Sequence, residues 1–181
     1  MLKQCFDNVR EKHPLVHNIT NYVTVNDVAN ILLACGGSPI MADDSEEVED
    51  ITSICQGLNI NIGTLNKNTI PSMFLAGKKA NELDHVVLLD PVGAGASGLR
   101  TKTANELVRD IKFTVIRGNI SEIRTLMEGT GNTKGVDADL ADAVTEENLD
   151  KTIEKLKAFS EATGSVIAVT GAIDLVADSK K

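Results

Sequence analysis

Short apolar runs alternate along the chain with longer segments in which apolar residues recur at helical spacing. Residues 86–89 (VVLL) and 166–169 (VIAV) are unbroken apolar stretches, as is typical of strands covered on both faces in a parallel sheet. Between them, residues 101–111 carry apolar positions three and four apart, which indicates an amphipathic helix. Strands that alternate with helices predict an α/β layered fold around a mostly parallel sheet with helices on both faces.

Shorter or more polar segments predict the remaining elements. The residue types and their alternation favour further strands at residues 38–41, 58–62, 113–116 and 173–177. Turn and capping residues indicate that further helices begin near residues 24, 71, 121 and 145.

Two of these helices carry specific expectations. Thr24, followed three residues later by Asp27, predicts a capping box at the start of a helix that ends at Gly36. The acidic stretch at residues 43–50 is expected to form the N-terminal turns of the next helix, because carboxylates stabilise that end of the helix dipole. The buried face of this helix is expected to hold Val48, Ile51, Ile54 and Cys55.

Polar residues follow two of the predicted strands directly. Asp90 ends the run at residues 86–89 and leads into a loop rich in glycine, whereas Arg117, Asn119 and Glu122 follow the strand at 113–116. Small molecules bind where the carboxyl ends of parallel strands meet, so we expect a site at this rim of the sheet. The alternative is that each loop only turns the chain, as Asp-Pro and glycine-rich loops often do.

The residue types at this rim suit a phosphate and a metal ion. Asn119 and Glu122 are three apart and share one face of a starting helix. A carboxylate there, facing Asp90, would hold magnesium through water, while Arg117 binds a phosphate in a bidentate manner. Thr170 follows the apolar run at 166–169 and lies at the same rim.

The glycines of the first loop also match a weaker pattern. Gly93, Gly95 and Gly98 satisfy G-x-G-x-x-G after a strand, which raises the possibility of a dinucleotide site. Asp90 and Pro91 intervene, however, and the next strand leads into Arg117 where such sites place an acid. The sequence contains no GxxxxGK[ST], so a P-loop is excluded.

Composition narrows the class of protein further. The 181 residues carry a net charge of −8 and 3% aromatic residues, which argues against a nucleic-acid partner. We expect one domain over residues 1–181, with no membrane segment, and a cytoplasmic location because the N-terminus lacks a secretory signal. Three widely spaced cysteines suggest neither a disulfide framework nor a zinc site. An acidic protein that handles phosphate must supply its cations locally, through Mg²⁺ and a placed arginine.

Seven segments together carry a family resemblance: PLVHNITN at residues 14–21, GGSPIMAD at 36–43, NIGTL at 61–65, LDPVGAGA at 89–96, IRGNISEI at 116–123, KGVD at 134–137 and AVTG at 168–171. In this order they resemble the hydroxyethylthiazole kinases of thiamine salvage. The resemblance implies a ribokinase-like fold and a homotrimer with active sites between subunits. It also implies transfer of the ATP γ-phosphoryl group to the hydroxyl of 4-methyl-5-(2-hydroxyethyl)thiazole.

The resemblance also implies roles for individual residues. Met41 would contact the thiazole, and Asn21 and Val23 would line its pocket from the adjoining subunit. A second group would serve the nucleotide and its metal: Arg117, Thr170 and Asn119 for ATP, and Asp90 and Glu122 for Mg²⁺.

The chain departs from the family pattern in two places. Family members continue into a glycine-rich segment with a catalytic cysteine, which these 181 residues lack, so the resemblance implies a C-terminally incomplete kinase domain with no catalytic cysteine present. Ala172 replaces a glutamate that often follows T-G. We therefore expect weak thiazole binding and little or no kinase activity from these residues alone. Two alternatives stay open: a non-catalytic ligand-binding or interaction remnant of the fold, and a ribokinase-like kinase for another small alcohol.

Overall fold

The computed structural model describes residues 2–129 and 143–180. The chain divides into two compact units, Met1–Val87 and Leu88–Lys181. The KGVD segment at residues 134–137 lies outside the described residues. The expectation that residues 1–181 form one domain stays a prediction.

The first unit contains three parallel strands and four helices among its described residues. Its elements are α1 (Leu2–Lys12), β1 (Leu15–Ile19), α2 (Val25–Cys35), β2 (Ser38–Met41), α3 (Val48–Ile54), β3 (Gly57–Asn61) and α4 (Thr69–Glu82). The strand order is β2-β1-β3, with β1 in the middle. His17 of β1 lies opposite Ile40 of β2 and Leu58 of β3, so its side chain is flanked by two strands.

The second unit repeats the alternation of strands and helices. It takes up β4 (Val86–Asp90) at the boundary and continues with α5 (Gly98–Asp110), β5 (Val115–Asn119), α6 (Ile120–Gly129), α7 (Leu149–Thr163), β6 (Val166–Thr170) and β7 (Leu175–Ala177). The strand order is β4-β5-β6-β7. Strands β4, β5 and β6 are parallel, and β7 runs antiparallel to β6. The predicted α/β class with a mostly parallel sheet is confirmed.

Each unit buries its own apolar residues between strands and helices. In the first unit the most deeply buried side chains include Ile19, Val48, Ile60 and Met73. In the second they include Leu89, Leu107, Ile116, Ile123, Leu156, Phe159 and Ile167. Fully burying one such side chain stabilises the fold by about 1.5–3 kcal/mol. The apolar strand segments predicted from sequence contribute Ile60, Leu89, Ile116 and Ile167 to these cores, and the helices pack their buried faces against them.

Strand β5 is longer at its carboxyl end than predicted. It runs from Val115 to Asn119 because Arg117, Gly118 and Asn119 continue the parallel ladder with β6. Arg117 therefore projects from a strand and not from the loop after it. Gly118 is buried within this ladder.

Three expectations about the helices were wrong. Thr24 makes no capping hydrogen bond through its side chain; instead Asn21 Oδ1 accepts from the backbone N–H groups of Val23 and Thr24, each at 3.1 Å. Ile54 is exposed because it lies on the outer face of the short helix α3. The last helix begins at Leu149 with Asn148 at its N-cap, and not at Thr145.

No helix in the described part of the chain is long and apolar enough to span a membrane. Helix α2 is apolar on average, yet none of its residues is fully buried. Ile31 and Leu33 are exposed on it. This helix therefore presents apolar surface to its surroundings.

Two buried serines connect the starts of β5 and β6, and they yield a stability prediction. Ser160 Oγ donates to the Ser165 carbonyl at 2.6 Å, and Ser165 Oγ donates to the Phe113 carbonyl at 2.8 Å. Both serines are buried. Ser165→Ala removes the donor to the Phe113 carbonyl, and we expect the free energy of unfolding to fall by about 1–2 kcal/mol. Urea denaturation measures this change.

Ser179→Ala is the matched control, because Ser179 is exposed near the C-terminal end of the described residues. It should leave the denaturation midpoint unchanged. Equal midpoints for Ser165→Ala and the unmodified protein would contradict the assigned role of Ser165.

Candidate active site

The loop after β4 is held by side chains of the two helices that follow it. Gly93 N donates to Glu122 Oε1 at 2.8 Å, and Gly95 N donates to Thr101 Oγ1 at 2.9 Å. Both glycines have a positive φ, +74° and +93°, which only glycine adopts without strain. The Arg100 guanidinium lies over Gly93, where a Cβ would collide with it, and donates to the Val92 carbonyl at 3.0 Å.

Glu122 connects this loop to the start of α6. Its Oε2 accepts from Asn119 N at 2.8 Å, while Asn119 Oδ1 accepts from Glu122 N at 2.9 Å. This reciprocal pair is the capping-box arrangement. A Cβ on Gly118 would lie 3.0 Å from Glu122 Oε2, so glycine makes room for the carboxylate. Each oxygen of Glu122 thus accepts one backbone N–H.

Arg117 and Asp90 meet across the neighbouring strands β5 and β4. Arg117 Nη1 lies 3.3 Å from Asp90 Oδ2, and the side chains are 47% and 15% exposed respectively. The guanidinium is therefore accessible from solvent while the carboxylate is largely covered. The cation and the acid predicted at this rim face each other directly.

Thr170 lies beside Asn119, its register partner in the β5–β6 ladder. Thr170 Oγ1 donates to the Gly118 carbonyl at 3.5 Å, a long hydrogen bond. A cavity of about 320 Å³ opens here. Its lining includes Asn119, Ser121, Val144, Thr170, Gly171 and Ala172. The structure thus brings Asp90, Arg117, Asn119, Glu122 and Thr170 to one rim of the second unit.

The residues predicted to bind the thiazole lie at the end of a strand or just after one in the first unit. Met41 is the last residue of β2 and is 36% exposed, while Asn21 and Val23 lie in the turn after β1. Asn21 is buried, and its amide Nδ2 donates to Asn61 Oδ1 at 3.1 Å. Val23 is 88% exposed. Asn21 therefore holds the turn, and Val23 is the part of it that other molecules can reach.

Comparison with known proteins decides the family. The family model described as the hydroxyethylthiazole kinase family matches residues 6–181. The chain belongs to this family.

Individual relatives agree with the family model. The hydroxyethylthiazole kinase of Clostridium acetobutylicum is 66% identical over 181 residues, which are all of this chain and 66% of the relative. The solved structure of the hydroxyethylthiazole kinase protein from Pyrococcus horikoshii OT3 superposes with a TM-score of 0.85 at 37% identity, covering 98% of this chain and 63% of that one. The chain thus spans about two thirds of the length of these relatives.

A more distant likeness concerns the fold alone. Adenosine kinase from Schistosoma mansoni, solved with tubercidin, superposes with a TM-score of 0.54 at 13% identity over 92% of this chain and 56% of that one. This likeness supports the ribokinase-like fold predicted for members of the family.

The rim of this family member fits the donor set that Mg²⁺ uses, although not as an all-protein cage. Among residues 2–129 and 143–180, no three His, Cys, Asp or Glu side chains come together. Mg²⁺ is commonly held by one or two carboxylates plus substrate phosphates and waters. Asp90 and Glu122 supply two carboxylates at this rim. Each Glu122 oxygen accepts one hydrogen bond from a backbone N–H and retains a second lone pair. Contact between Glu122 and Mg²⁺ through water is therefore compatible with the geometry.

Sequence reasoning missed four residues that shape these sites. Thr101 holds the glycine-rich loop, and Asn61 accepts hydrogen bonds from Asn21 and from Gly63 N at 3.1 and 2.8 Å. His17 is fully buried. Asn61 and His17 each have apolar neighbours in a strand. A polar residue at such a position could have indicated a buried hydrogen-bonding role. Arg100 carried no such signal.

The two hydrogen bonds that Glu122 accepts from backbone N–H groups give a prediction for its isosteric variant. Glu122→Gln replaces one acceptor oxygen with an NH₂ group, which then faces a backbone N–H. We expect the free energy of unfolding to fall by about 1–3 kcal/mol, the cost of leaving a donor unsatisfied. Thermal and urea denaturation without nucleotide measure it.

Glu128→Gln on the same helix is the control, since Glu128 is exposed and lies 4.0 Å from Arg124 in a surface ion pair. Its stability should change by less than about 0.5 kcal/mol. If both variants unfold at the same midpoint, Glu122 does not brace the loop.

Proposed function

We propose that this protein serves the transfer of the ATP γ-phosphoryl group to the hydroxyl of 4-methyl-5-(2-hydroxyethyl)thiazole in thiamine biosynthesis. The observation that carries the proposal is the convergence of Asp90, Arg117, Glu122 and Thr170 on one rim in a member of the hydroxyethylthiazole kinase family. Phosphoryl transfer requires alignment and charge neutralisation more than covalent help from the protein.

The phosphates of ATP are assigned to Arg117, Asn119 and Thr170. Arg117 presents an accessible guanidinium at the rim, and a guanidinium matches phosphate oxygens in a bidentate manner. Thr170 and Asn119 line the adjoining cavity of about 320 Å³. In a chain with net charge −8, such a local cation and local donors must offset the charge of the nucleotide.

Magnesium is assigned to Asp90 and Glu122. When bound, Mg²⁺ neutralises the phosphate charge that develops during transfer. Glu122 also keeps the Gly93 loop and the start of α6 in position through the two hydrogen bonds that it accepts from backbone N–H groups. Asp90 Oδ2 lies 3.3 Å from Arg117 Nη1.

The thiazole is assigned to the ends of β1 and β2. Met41 offers a half-exposed thioether side chain, which adapts to an aromatic ring. Val23 is 88% exposed, which supports the assignment of Asn21 and Val23 to the pocket of a neighbouring subunit in a homotrimer. We place the protein in the cytoplasm and treat residues 1–181 as part of one kinase domain.

The three cysteines do not supply the family's catalytic thiol in this proposal. Cys5 is exposed on α1, Cys35 is half-buried at the end of α2, and burial raises the pKa of the Cys55 thiol. A raised pKa disfavours the reactive thiolate. We therefore expect the 181 residues alone to bind nucleotide and to turn over slowly or not at all.

The activity itself is tested with a matched pair of proteins. The 181-residue chain and the same chain extended by the remaining residues of the Clostridium acetobutylicum relative are incubated with ATP, Mg²⁺ and hydroxyethylthiazole. We expect the extended protein to produce ADP in a coupled assay, at least about a hundredfold faster than the short chain, because aligned groups supply factors of this size.

Pyrimidine and sugar alcohols are the competing substrates in the same assay. A preference of the extended protein for one of them would indicate another ribokinase-like kinase. No turnover of any alcohol, with the nucleotide still bound, would favour a ligand-binding remnant.

Arg117 provides a prediction that does not need turnover. Arg117→Gln should raise the Kd of the 181-residue chain for Mg-ATP about tenfold or more, because one charge-assisted contact of about 1.5–3 kcal/mol is lost. Isothermal calorimetry measures it. Arg109→Gln is the control, since Arg109 is exposed and pairs with its neighbour Asp110. Equal affinities for both variants would remove Arg117 from the ATP site.

A further inference from the structure

His17 is a buried histidine with a partner for each ring nitrogen. It lies in the middle of β1 and has no solvent exposure. Its Nε2 is 2.9 Å from the Ala42 carbonyl oxygen, and its Nδ1 is 2.9 Å from Thr52 Oγ1. Ala42 is the first residue after β2, and Thr52 lies within α3. One imidazole thus binds both ends of the segment at residues 42–52.

The partners determine the tautomer of the ring. A carbonyl oxygen only accepts, so Nε2 must carry the hydrogen and donate to Ala42. The neutral Nδ1 then accepts from the Thr52 hydroxyl. Burial lowers the pKa of His17, although the Ala42 carbonyl and the charge of Glu47 act in the opposite direction. The ring is therefore neutral near pH 7.

The bond to Ala42 lies immediately beside Met41. The parallel ladder of β1 and β2 ends with the pair Asn18 and Met41, so Ala42 has already left the strand. Ala42 is buried, whereas Met41 before it is half-exposed. Beyond it, Asp44 begins a turn by accepting from Glu46 N at 2.9 Å. His17 thus bonds to the backbone between the strand ladder and this turn.

We propose that His17 is a positioning residue, whose Nε2–H bond to the Ala42 carbonyl sets the orientation of Met41 at the end of β2. The inference rests on the proposed function in that Met41 is taken as the thiazole contact. His17 does not touch substrate in this arrangement. It acts through the backbone of Ala42, and Thr52 holds the ring in the orientation that this requires.

Two amide variants separate the two ring bonds. His17→Gln places an NH₂ donor near the position of Nε2 and keeps the bond to Ala42, whereas His17→Asn reaches only the Nδ1 side and loses it. We expect His17→Asn to raise the Kd for hydroxyethylthiazole about tenfold, which is the loss of about one hydrogen bond, and His17→Gln to raise it by less than about threefold. The Kd for Mg-ATP should stay within about twofold of the unmodified protein in both variants.

A measurement without any ligand tests the role of His17 independently of the proposed function. The chain has four methionines, so the spectrum of ¹³C-methyl-labelled methionine is simple, and Met41→Leu assigns the signal of Met41. We expect His17→Asn to shift the Met41 methyl signal and to leave the buried Met73 unchanged, and His17→Gln to shift neither.

The tautomer of His17 is measured in the unmodified protein. This measurement therefore does not depend on whether the variants fold. The chain has three histidines, and ¹⁵N ring shifts at pH 7.5 distinguish the Nε2–H form from the alternatives. We expect His17 to be neutral with its proton on Nε2. A proton on Nδ1, an imidazolium, or an unmoved Met41 signal in folded His17→Asn would overturn the proposal. Absence of thiazole binding by the unmodified protein, with the expected methyl shifts, would instead contradict the proposed function.

Discussion

The carboxylate of Glu122 is the interaction on which the rim of the second unit depends. It accepts one backbone N–H from Gly93 and one from Asn119, each at 2.8 Å. Bonds from amides to an ionised acceptor are about twice as strong as neutral ones. They fix the loop three residues after Asp90 and the strand end two residues after Arg117. One side chain therefore braces the backbone on both sides of the ion pair, whose two residues lie in the strands β4 and β5, and the missing Cβ of Gly118 makes the room for it.

Much of this rim was predictable from sequence because its cause is local. Unbroken apolar runs identify buried strands, and the polar residues at their ends must meet at one edge of a parallel sheet. The extension of β5 to Asn119 was not predictable, since it depends on pairing with β6, some 50 residues further along the chain. The hydrogen bonds from backbone N–H groups to Glu122 were missed for a similar reason. A first-turn acid is typical of any helix, and its second partner, Gly93, comes from another loop.

In the first unit, polar side chains are buried and apolar side chains are exposed around the residues proposed to bind the thiazole. Asn21, Asn61 and His17 are buried and bond to one another or to backbone, whereas Val23 and Met41 are exposed. Thr24 looked like the helix cap in sequence, but Asn21 three residues earlier supplies the acceptor. Buried polar side chains with every partner in place specify a single geometry. The side chains proposed to contact the thiazole are thus apolar, and buried polar residues bond to the backbone next to them.

The ion pair of Arg117 and Asp90 is compatible with the phosphate site proposed at this rim. The guanidinium is 47% exposed and approaches the carboxylate at 3.3 Å, so solvent screening limits the pair to about 1 kcal/mol or less. A phosphate can accept from the guanidinium in a bidentate manner. The proposed exchange of Asp90 for a nucleotide phosphate therefore breaks only a weak pair. Until then Asp90 keeps the arginine at the rim, which reduces the side-chain entropy that nucleotide binding would otherwise cost.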